Sequence, residues 1–386
     1  MTKNQFYIFL SCATTVTSFI ILRYYFQERK KKKQNEEQKK EYLKCRSLFD
    51  IEQLAKKLMK THRFYYYDYK AGQGYTYQAS RDYFDKQLQI LPRVLIDVTQ
   101  ISLKTNIFGS TYESPIIIAP STFHCLAHID GEVATARGAT EAECIYTYNW
   151  MYSTMPEEKV LQTTGPKFLH VYLTTPIELL ERIVSQAENK GYRSIVVTCD
   201  HPTDQASKTI DPELMKSMPM ANMNVSNIIV KQNLKTGSIT WTNIESLKRL
   251  TKLPIICKGI LSTIDAELAI KHGADGILVS NHGGRQVDTA PPAIQCLQDI
   301  VNVVNGRAQI FVDTGIRTGT DVLKALALGA QAVFIGRPAL YGLACGGHDG
   351  VKTVLNILKR ELTYDMASCG ITSIDQINKD ILYKHT

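Results

Sequence analysis

Ile277-Leu-Val-Ser-Asn-His282-Gly-Gly-Arg285-Gln-Val-Asp288 decides how the rest of the chain is read. It starts as a buried strand, Ile277 to Ser280, and breaks into a glycine-rich turn that carries one histidine and one arginine. An imidazole exchanges a proton near neutral pH. A guanidinium three residues on can fork onto a carboxylate. Gly283 and Gly284 between them let the backbone turn sharply and come close to a flat ligand. Alone, a His-x-x-Arg turn is more often a strand-to-helix connection with a surface histidine. Here seven other strand ends carry matching chemistry.

Working outward, short apolar runs lie at Ile116–Ala119, Ile145–Tyr148, Phe168–Leu173, Ser194–Thr198, Ile255–Lys258, Ile277–Ser280, Gln309–Asp313 and Ala332–Ile335. Helical patterns fall between most of them, including Gly131–Ala142, Ile177–Lys190, Thr263–His272 and Gly319–Leu328, and the last three end at a glycine. Eight strands alternating with helices predict an α/β fold of the (β/α)₈ TIM barrel type. Upstream, Ile51, Leu54, Ala55, Leu58 and Met59 make one helix face, with Asp50 as its expected N-cap. The aromatic run Phe64 to Tyr69 reads first as packing. Asp211 to Gly237, rich in Met, Asn and Ser, is expected to be a mobile insertion over the barrel top.

Chemistry in a barrel sits where the strands end. The ends read Ala119-Pro120-Ser121, Tyr148-Asn-Trp150, His170-Val-Tyr172, Thr198-Cys-Asp200, Lys258-Gly259, Asn281 to Arg285, Asp313-Thr-Gly315-Ile-Arg317 and Gly336-Arg337. The last two loops are the usual phosphate site of this fold, and Gly315, Gly336, Arg317 and Arg337 suit a phosphorylated cofactor. Lys258 is costly to bury without an anionic partner, such as a ring that becomes anionic on reduction. Asp200 could hold His282 as an imidazolium. Singly, each of these residues is more often structural. Together they supply a base, its orienter, a carboxylate clamp, a cation and a phosphate cradle.

From about residue 48 to about 378 the chain resembles the FMN-dependent 2-hydroxy acid oxidoreductases, which include glycolate oxidase, long-chain hydroxy acid oxidase and flavocytochrome-type lactate dehydrogenase. The resemblance is carried by Ser280-Asn-His-Gly-Gly-Arg-Gln286, Leu253-Pro-Ile-Ile-Cys-Lys-Gly259, Asp313-Thr-Gly-Ile-Arg-Thr-Gly-Thr-Asp-Val322 and Phe334-Ile-Gly-Arg-Pro338, in order and spacing. It implies FMN as cofactor. It makes His282 the base and Asp200 its partner, sets Arg285 and Tyr69 on the substrate carboxylate and Tyr172 on the substrate oxygen, and puts Trp150 in the pocket wall. It places Lys258 at the flavin N1–C2=O edge, Ala119, Pro120 and Ser121 near N5, and Thr198 and Ser280 on other ring edges. It sends Asp313 to the ribityl chain, and Gly315, Arg317, Gly336 and Arg337 to the phosphate. His282 would take the 2-hydroxyl proton as hydride passes from C2 to flavin N5; a carbanion route would use the same residues.

The chain departs from the family pattern at several of these positions. His170 stands where the family has a glutamine on the flavin pyrimidine, Tyr148 where it has a serine near the ring, and Thr314 where it has a glycine. Ser207, followed by Lys208, stands where it has a second arginine. These departures set up the alternative of a catalytically eroded, flavin-binding or empty barrel that acts as a membrane-tethered scaffold. Another phosphate-binding barrel, such as a flavin-dependent isomerase, would not call for Tyr69 and Tyr172 beside the His-Gly-Gly-Arg turn.

The bulk numbers fit such an enzyme. Of the net charge of +8, residues 1–50 supply +6, from eleven Lys/Arg against five Asp/Glu, so the remaining 336 residues carry only +2. A near-neutral body excludes a nucleic-acid surface. Nine cysteines without a Cys-x-x-Cys pair point to a reducing compartment with neither a disulfide frame nor a zinc site. Asn4 to Leu22 holds no charge, and Arg29 to Lys33 follows it. That order reads as an uncleaved single-pass transmembrane anchor helix rather than a cleaved signal peptide, with the body on the cytosolic side. The expected layout is an anchor over 1–26 that meets the lipid bilayer through residues 4–26, a basic spacer over 27–47 and a catalytic barrel over 48–386. A homotetramer follows from the resemblance. So does an electron acceptor, which is oxygen or another molecule. No haem-binding segment is visible.

Overall fold

Residues 23, 41–175, 177–201 and 239–383 are described by a computed structural model, in which Arg46–Thr386 is one compact unit. The expected anchor over 1–26, apart from Arg23, and most of the spacer lie outside the described residues, as does the insertion from Asp211 to Gly237. Among the described residues, no helix is long and apolar enough to cross a membrane.

The unit opens with α1 (Leu48–Leu58), α2 (Thr61–Asp68) and α3 (Tyr75–Asp82). The N-cap of α1 is Ser47, not Asp50. Ser47 Oγ accepts from the Asp50 amide at 3.2 Å, and the Asp50 carboxylate accepts from the Ser47 amide at 3.0 Å. The two residues form a reciprocal capping box, in which the acidic residue belongs three positions inside the helix.

A hairpin of β1 (Thr105–Ile107) and β2 (Ser110–Tyr112) precedes the barrel. The barrel strands are β3 (Ile116–Ile118), β4 (Ile145–Asn149), β5 (Lys167–Tyr172), β6 (Ile195–Thr198), β7 (Ile255–Ile260), β8 (Gly276–Val279), β9 (Gln309–Val312) and β10 (Ala332–Ile335). They pair in parallel in the closed order β10-β3-β4-β5-β6-β7-β8-β9. Helices follow the strands: α4 (Gly131–Glu141), α5 (Glu157–Leu161), α6 (Ile177–Ala187), α7 (Thr242–Leu250), α8 (Thr263–Lys271), α9 (Ala293–Val304), α10 (Gly319–Ala327) and α11 (Arg337–Ser368). The long α11 is broken at Gly346 and Gly347, where the backbone is non-helical.

Inside the barrel, Ile117, Ile145, Phe168, Val196, Ile256, Leu278, Phe311 and Phe334 form one buried cluster. Each comes from a different strand, so together they make a full apolar layer. Phe108 in the β1–β2 turn and Tyr112 pack against this cluster. Burying each such side chain is worth roughly 1.5–3 kcal/mol, and the layer is the rigid floor on which the site stands.

Candidate active site

Strand side chains alternate, so the residues two positions beyond the apolar layer share its inward face. Those residues are Ala119, Thr147, His170, Thr198, Lys258, Ser280, Asp313 and Gly336. The same period that builds the core therefore lays a second, mostly polar layer on top of it. His170 Nε2 lies 2.7 Å from Thr198 Oγ1 on the neighbouring strand. Lys258 Nζ donates to Ser280 Oγ at 3.1 Å and lies 3.7 Å from Asp313 Oδ2. Lys258 is only 4% exposed, so Asp313 is the carboxylate that its burial calls for.

One more step along the strands brings the reactive groups. His282 Nδ1 sits 3.0 and 3.2 Å from the two Asp200 carboxylate oxygens. Burial alone would raise the Asp200 carboxyl, but the charges of His282 and Lys258 outweigh it and hold the group well below the usual carboxylate range. The close approach depends on Gly259, whose φ of +103° is left-handed; a Cβ there would lie 2.4 Å from Asp200 Cγ. His282, Gly283 and Gly284 have φ of +59°, +71° and +70° in succession, so the turn doubles back and aims the imidazole at the barrel mouth. Burial pushes the Tyr172 phenol far up, so it stays a neutral hydrogen-bond donor. Burial, with the Lys258 and His282 charges, drives the His170 imidazole well down, so it too is neutral.

Three arginines converge here. Arg285 Nη1 donates to the carbonyls of Tyr66 and Tyr67 at 3.0 and 3.2 Å, and its guanidinium lies 5.2 Å from the centre of the Tyr69 ring. Arg337 donates to the Tyr67, Gly283 and Tyr69 carbonyls at 2.9, 2.8 and 2.8 Å. Burial and the nearby Arg285 charge push Arg337 down to about 10. Arg317 is tied to Tyr77 and lies 3.8 Å from Glu52. Buried guanidiniums gathered at one cavity suit an anion.

Most of these side chains border one cavity of about 320 Å³. Its walls include Tyr69, Ala119, Pro120, Ser121, Tyr172, Lys258, His282, Arg285, Asp313, Gly315, Arg317, Gly336 and Arg337. Asp200 and Ser280 stand behind the walls, bonded to His282 and Lys258. His170 and Thr198 stand behind them too, bonded to each other, with the His170 ring 4.7 Å from the Tyr172 ring. FMN, a flat heteroaromatic ring with a phosphorylated chain, fits this donor set. The cavity offers clustered arginines and the buried Lys258. On the inner face of β4 and β5, the buried Thr147 Oγ1 and His170 Nδ1 have no hydrogen-bond partner among the described residues. Neither residue borders the cavity, so the fit rests on the arginines and on Lys258.

Two sequence assignments need correction. Tyr148 does not join the cavity walls. Ile145 is in the core layer, so Thr147 faces inward and Tyr148 outward, where its hydroxyl donates to the Met155 carbonyl at 3.1 Å. Trp150 is likewise absent from the walls, and Tyr152 is there instead. Asn149 Oδ1 accepts from the Met151 and Tyr152 amides, both at 3.2 Å, and this turn carries Tyr152 round to the cavity. Sequence reasoning also missed Tyr66, Thr122, His201 and Gln286, which line the cavity. The hydroxyls of Tyr66 and Thr122 lie 2.5 Å apart. Asp288, quoted at the end of the opening stretch, accepts from the Gln73 and Thr76 amides at 2.7 and 3.0 Å and fastens the Tyr69 segment to the Arg285 turn.

Comparison with known proteins agrees with this geometry. Residues 55–384 match the family model described as FMN-dependent dehydrogenase. A peroxisomal (S)-2-hydroxyacid oxidase of Arabidopsis thaliana is 39% identical over 343 residues, covering 86% of this chain and 94% of that protein. An L-lactate oxidase of a Nostoc species is 38% identical over 359 residues, covering 87% and 98%. Among solved structures, the crystal structure of mandelate oxidase superposes with a TM-score of 0.80 at 34% identity, covering 88% of this chain and 98% of that one. With its barrel, its His282–Asp200 pair and its arginine-lined cavity, the chain belongs to the FMN-dependent dehydrogenase family.

Proposed function

We propose that this cavity oxidises a small (S)-2-hydroxy acid to its 2-oxo acid with FMN. The observation that carries the reading is one cavity in which His282, tied to Asp200, stands with Arg285, Tyr69 and Tyr172. FMN, when bound, supplies a two-electron acceptor. Lys258, Thr198, Ser280, His170 and Ala119 to Ser121 would hold its ring, Asp313 its ribityl chain, and Gly315, Arg317, Gly336 and Arg337 its phosphate. Asp200 engages His282 Nδ1, so Nε2 is the atom that takes the 2-hydroxyl proton. The proton's charge stays on the imidazolium, which the ionised Asp200 stabilises. Arg285 and Tyr69 orient the substrate carboxylate, and Tyr172 donates to the substrate oxygen.

The test is an anaerobic absorbance spectrum of the flavin-loaded protein before and after adding glycolate, lactate or a longer 2-hydroxy acid. Bleaching by one of them is expected. A protein that takes up FMN and is bleached by none overturns the reading. Re-exposure to air then distinguishes oxygen from another electron acceptor.

The same reading places the barrel, residues 48–386, on the cytosolic face of a membrane, with 1–26 as a single-pass anchor and 27–47 as spacer. Nineteen uncharged residues from Asn4 to Leu22 and the basic run Arg29 to Lys33 support it. Release of the full chain by alkaline carbonate would refute the anchor. The homotetramer rests on the family resemblance, and light scattering in mild detergent tests it.

A further inference from the structure

We propose that Tyr77 is a positioning residue for the anion end of the cavity, holding Arg317 by its hydroxyl and Arg337 by its ring so that both guanidiniums meet the cofactor phosphate. The proposal rests on reading Arg317 and Arg337 as the phosphate ligands of FMN. Both arginines border the cavity, and Tyr77 stands behind them. Arg317 Nη2 donates to Tyr77 Oη at 3.4 Å, and the Arg337 guanidinium lies 5.0 Å from the centre of the Tyr77 ring. One side chain therefore touches both cations. Its own place is fixed through the backbone. The amide of the preceding Thr76 donates to Asp288 at 3.0 Å, and a Cβ on Gly284 would lie 3.0 Å from the Tyr77 nitrogen. The first turn of α3 thus lies flush against the turn that carries His282 and Arg285.

Two guanidiniums at one site repel each other, so each needs a partner that keeps it facing the cavity. Arg317 has few. Among the described residues, its Nη1 donates to the adjoining Ile316 carbonyl at 2.9 Å, and its Nε lies 3.8 Å from the Glu52 carboxylate. Without the phenol, Glu52 is the remaining side chain that draws on this guanidinium, and its negative charge competes with a phosphate. Arg337 is bonded along its edge to the Tyr67, Gly283 and Tyr69 carbonyls. The Tyr77 ring covers its face, and a cation over an aromatic ring gains most where water is excluded. Lys70 Nζ also lies 4.5 Å from the ring centre, but it pairs with Asp68 at 3.3 Å and is not part of the cavity walls.

Riboflavin has the ring and ribityl chain of FMN without the phosphate, so it separates an effect on the arginines from general damage. The full chain is stripped of flavin, and FMN and riboflavin are titrated back by flavin fluorescence in the wild type, Tyr77→Leu and Tyr77→Phe. Tyr77→Leu should raise the Kd for FMN about tenfold or more, and that for riboflavin less than about threefold. Tyr77→Phe keeps the ring and should weaken FMN only about threefold, with riboflavin unmoved. Equal weakening of both flavins overturns the proposal, as does an FMN Kd that Tyr77→Leu leaves unchanged. If Tyr77→Leu does not fold, Tyr77→Phe decides by the same comparison, and an unchanged FMN Kd overturns the proposal. A wild type that binds FMN no more tightly than riboflavin overturns the phosphate reading itself. That result is distinct from a wild type that prefers FMN and variants that keep the preference in full.

Discussion

Replacing Gly259 with alanine tests whether the Asp200–His282 contact does the work assigned to it. The new Cβ would lie 2.4 Å from Asp200 Cγ, 2.5 Å from Asp200 Cβ and 2.8 Å from Oδ1. Carbon atoms pack best at about 3.5–4.0 Å, so Asp200 must retreat by roughly 1 Å. The 3.0 Å bond to His282 Nδ1 then stretches to about 4 Å and is lost. A hydrogen bond to a charged group is worth about 1.5–3 kcal/mol, which corresponds to a loss in kcat of roughly 10- to 150-fold. The left-handed φ of +103° adds a backbone cost of about 1–2 kcal/mol for any L side chain, seen as a lower Tm. The assay is stopped-flow reduction of the flavin together with a thermal melt. A double mutant with Asp200→Asn separates a local effect from general damage. If the alanine acts through Asp200, the second substitution adds little. A Gly259→Ala enzyme within threefold of wild type, or strict additivity in the double mutant, would refute the argument.

Other outcomes follow from the same geometry. His282→Ala should cut the reductive rate by about 10²- to 10⁴-fold while the flavin spectrum stays intact; near-normal turnover would remove the base. Asp288→Ala should lower Tm and raise KM several-fold, because the Gln73 and Thr76 amides lose their anchor and the Tyr69 segment loosens. An unchanged KM would mean that this clamp is dispensable. The depressed Asp200 carboxyl stabilises the fold above its unfolded value of about 3.9, and that contribution is lost as pH falls toward the lower native value. Asp200→Asn should therefore flatten the pH dependence of stability below about pH 4 in acid-unfolding curves.

The barrel is legible in the sequence because eight apolar runs separated by helical patterns leave few alternatives, and each strand boundary falls within one or two residues of the observed one. Most of the cavity is legible for a related reason. A residue that faces the core fixes the facing of its neighbours two positions along, so Phe168 implies His170 and Ile256 implies Lys258. Assigning Tyr148 to the flavin ignores that rule, since Ile145 in the core puts Thr147 inside. What stays hidden lies far apart in sequence. The carbonyls of Tyr67 and Tyr69 receive Arg337 from 270 and 268 residues away. No local pattern distinguishes that role from aromatic packing. The backbone of the run from Phe64 to Tyr69 therefore carries no sequence signal of its own, and Tyr69 itself is found only through the resemblance.

The departures from the family pattern decide between an adjusted enzyme and an eroded one. Thr314, a β-branched residue at φ +70° where the family has glycine, carries a strain of about 1–3 kcal/mol. Its hydroxyl offsets this by accepting from the Gly283 amide at 3.1 Å and donating to Asp313 Oδ1 at 2.8 Å, which straps the His282 turn to the partner of Lys258. His170 replaces a neutral amide with an imidazole held neutral by its surroundings, and it still reaches Thr198. Tyr148 turns outward and leaves the barrel interior to Thr147. At these three positions the polar function on the inward face is retained or supplied by a neighbour; Ser207 and Lys208 lie outside the described residues. The substitutions leave the His282–Asp200 pair, the Lys258–Asp313 pair and the arginine-lined cavity intact, and these are groups that a flavin enzyme uses and a bare scaffold does not.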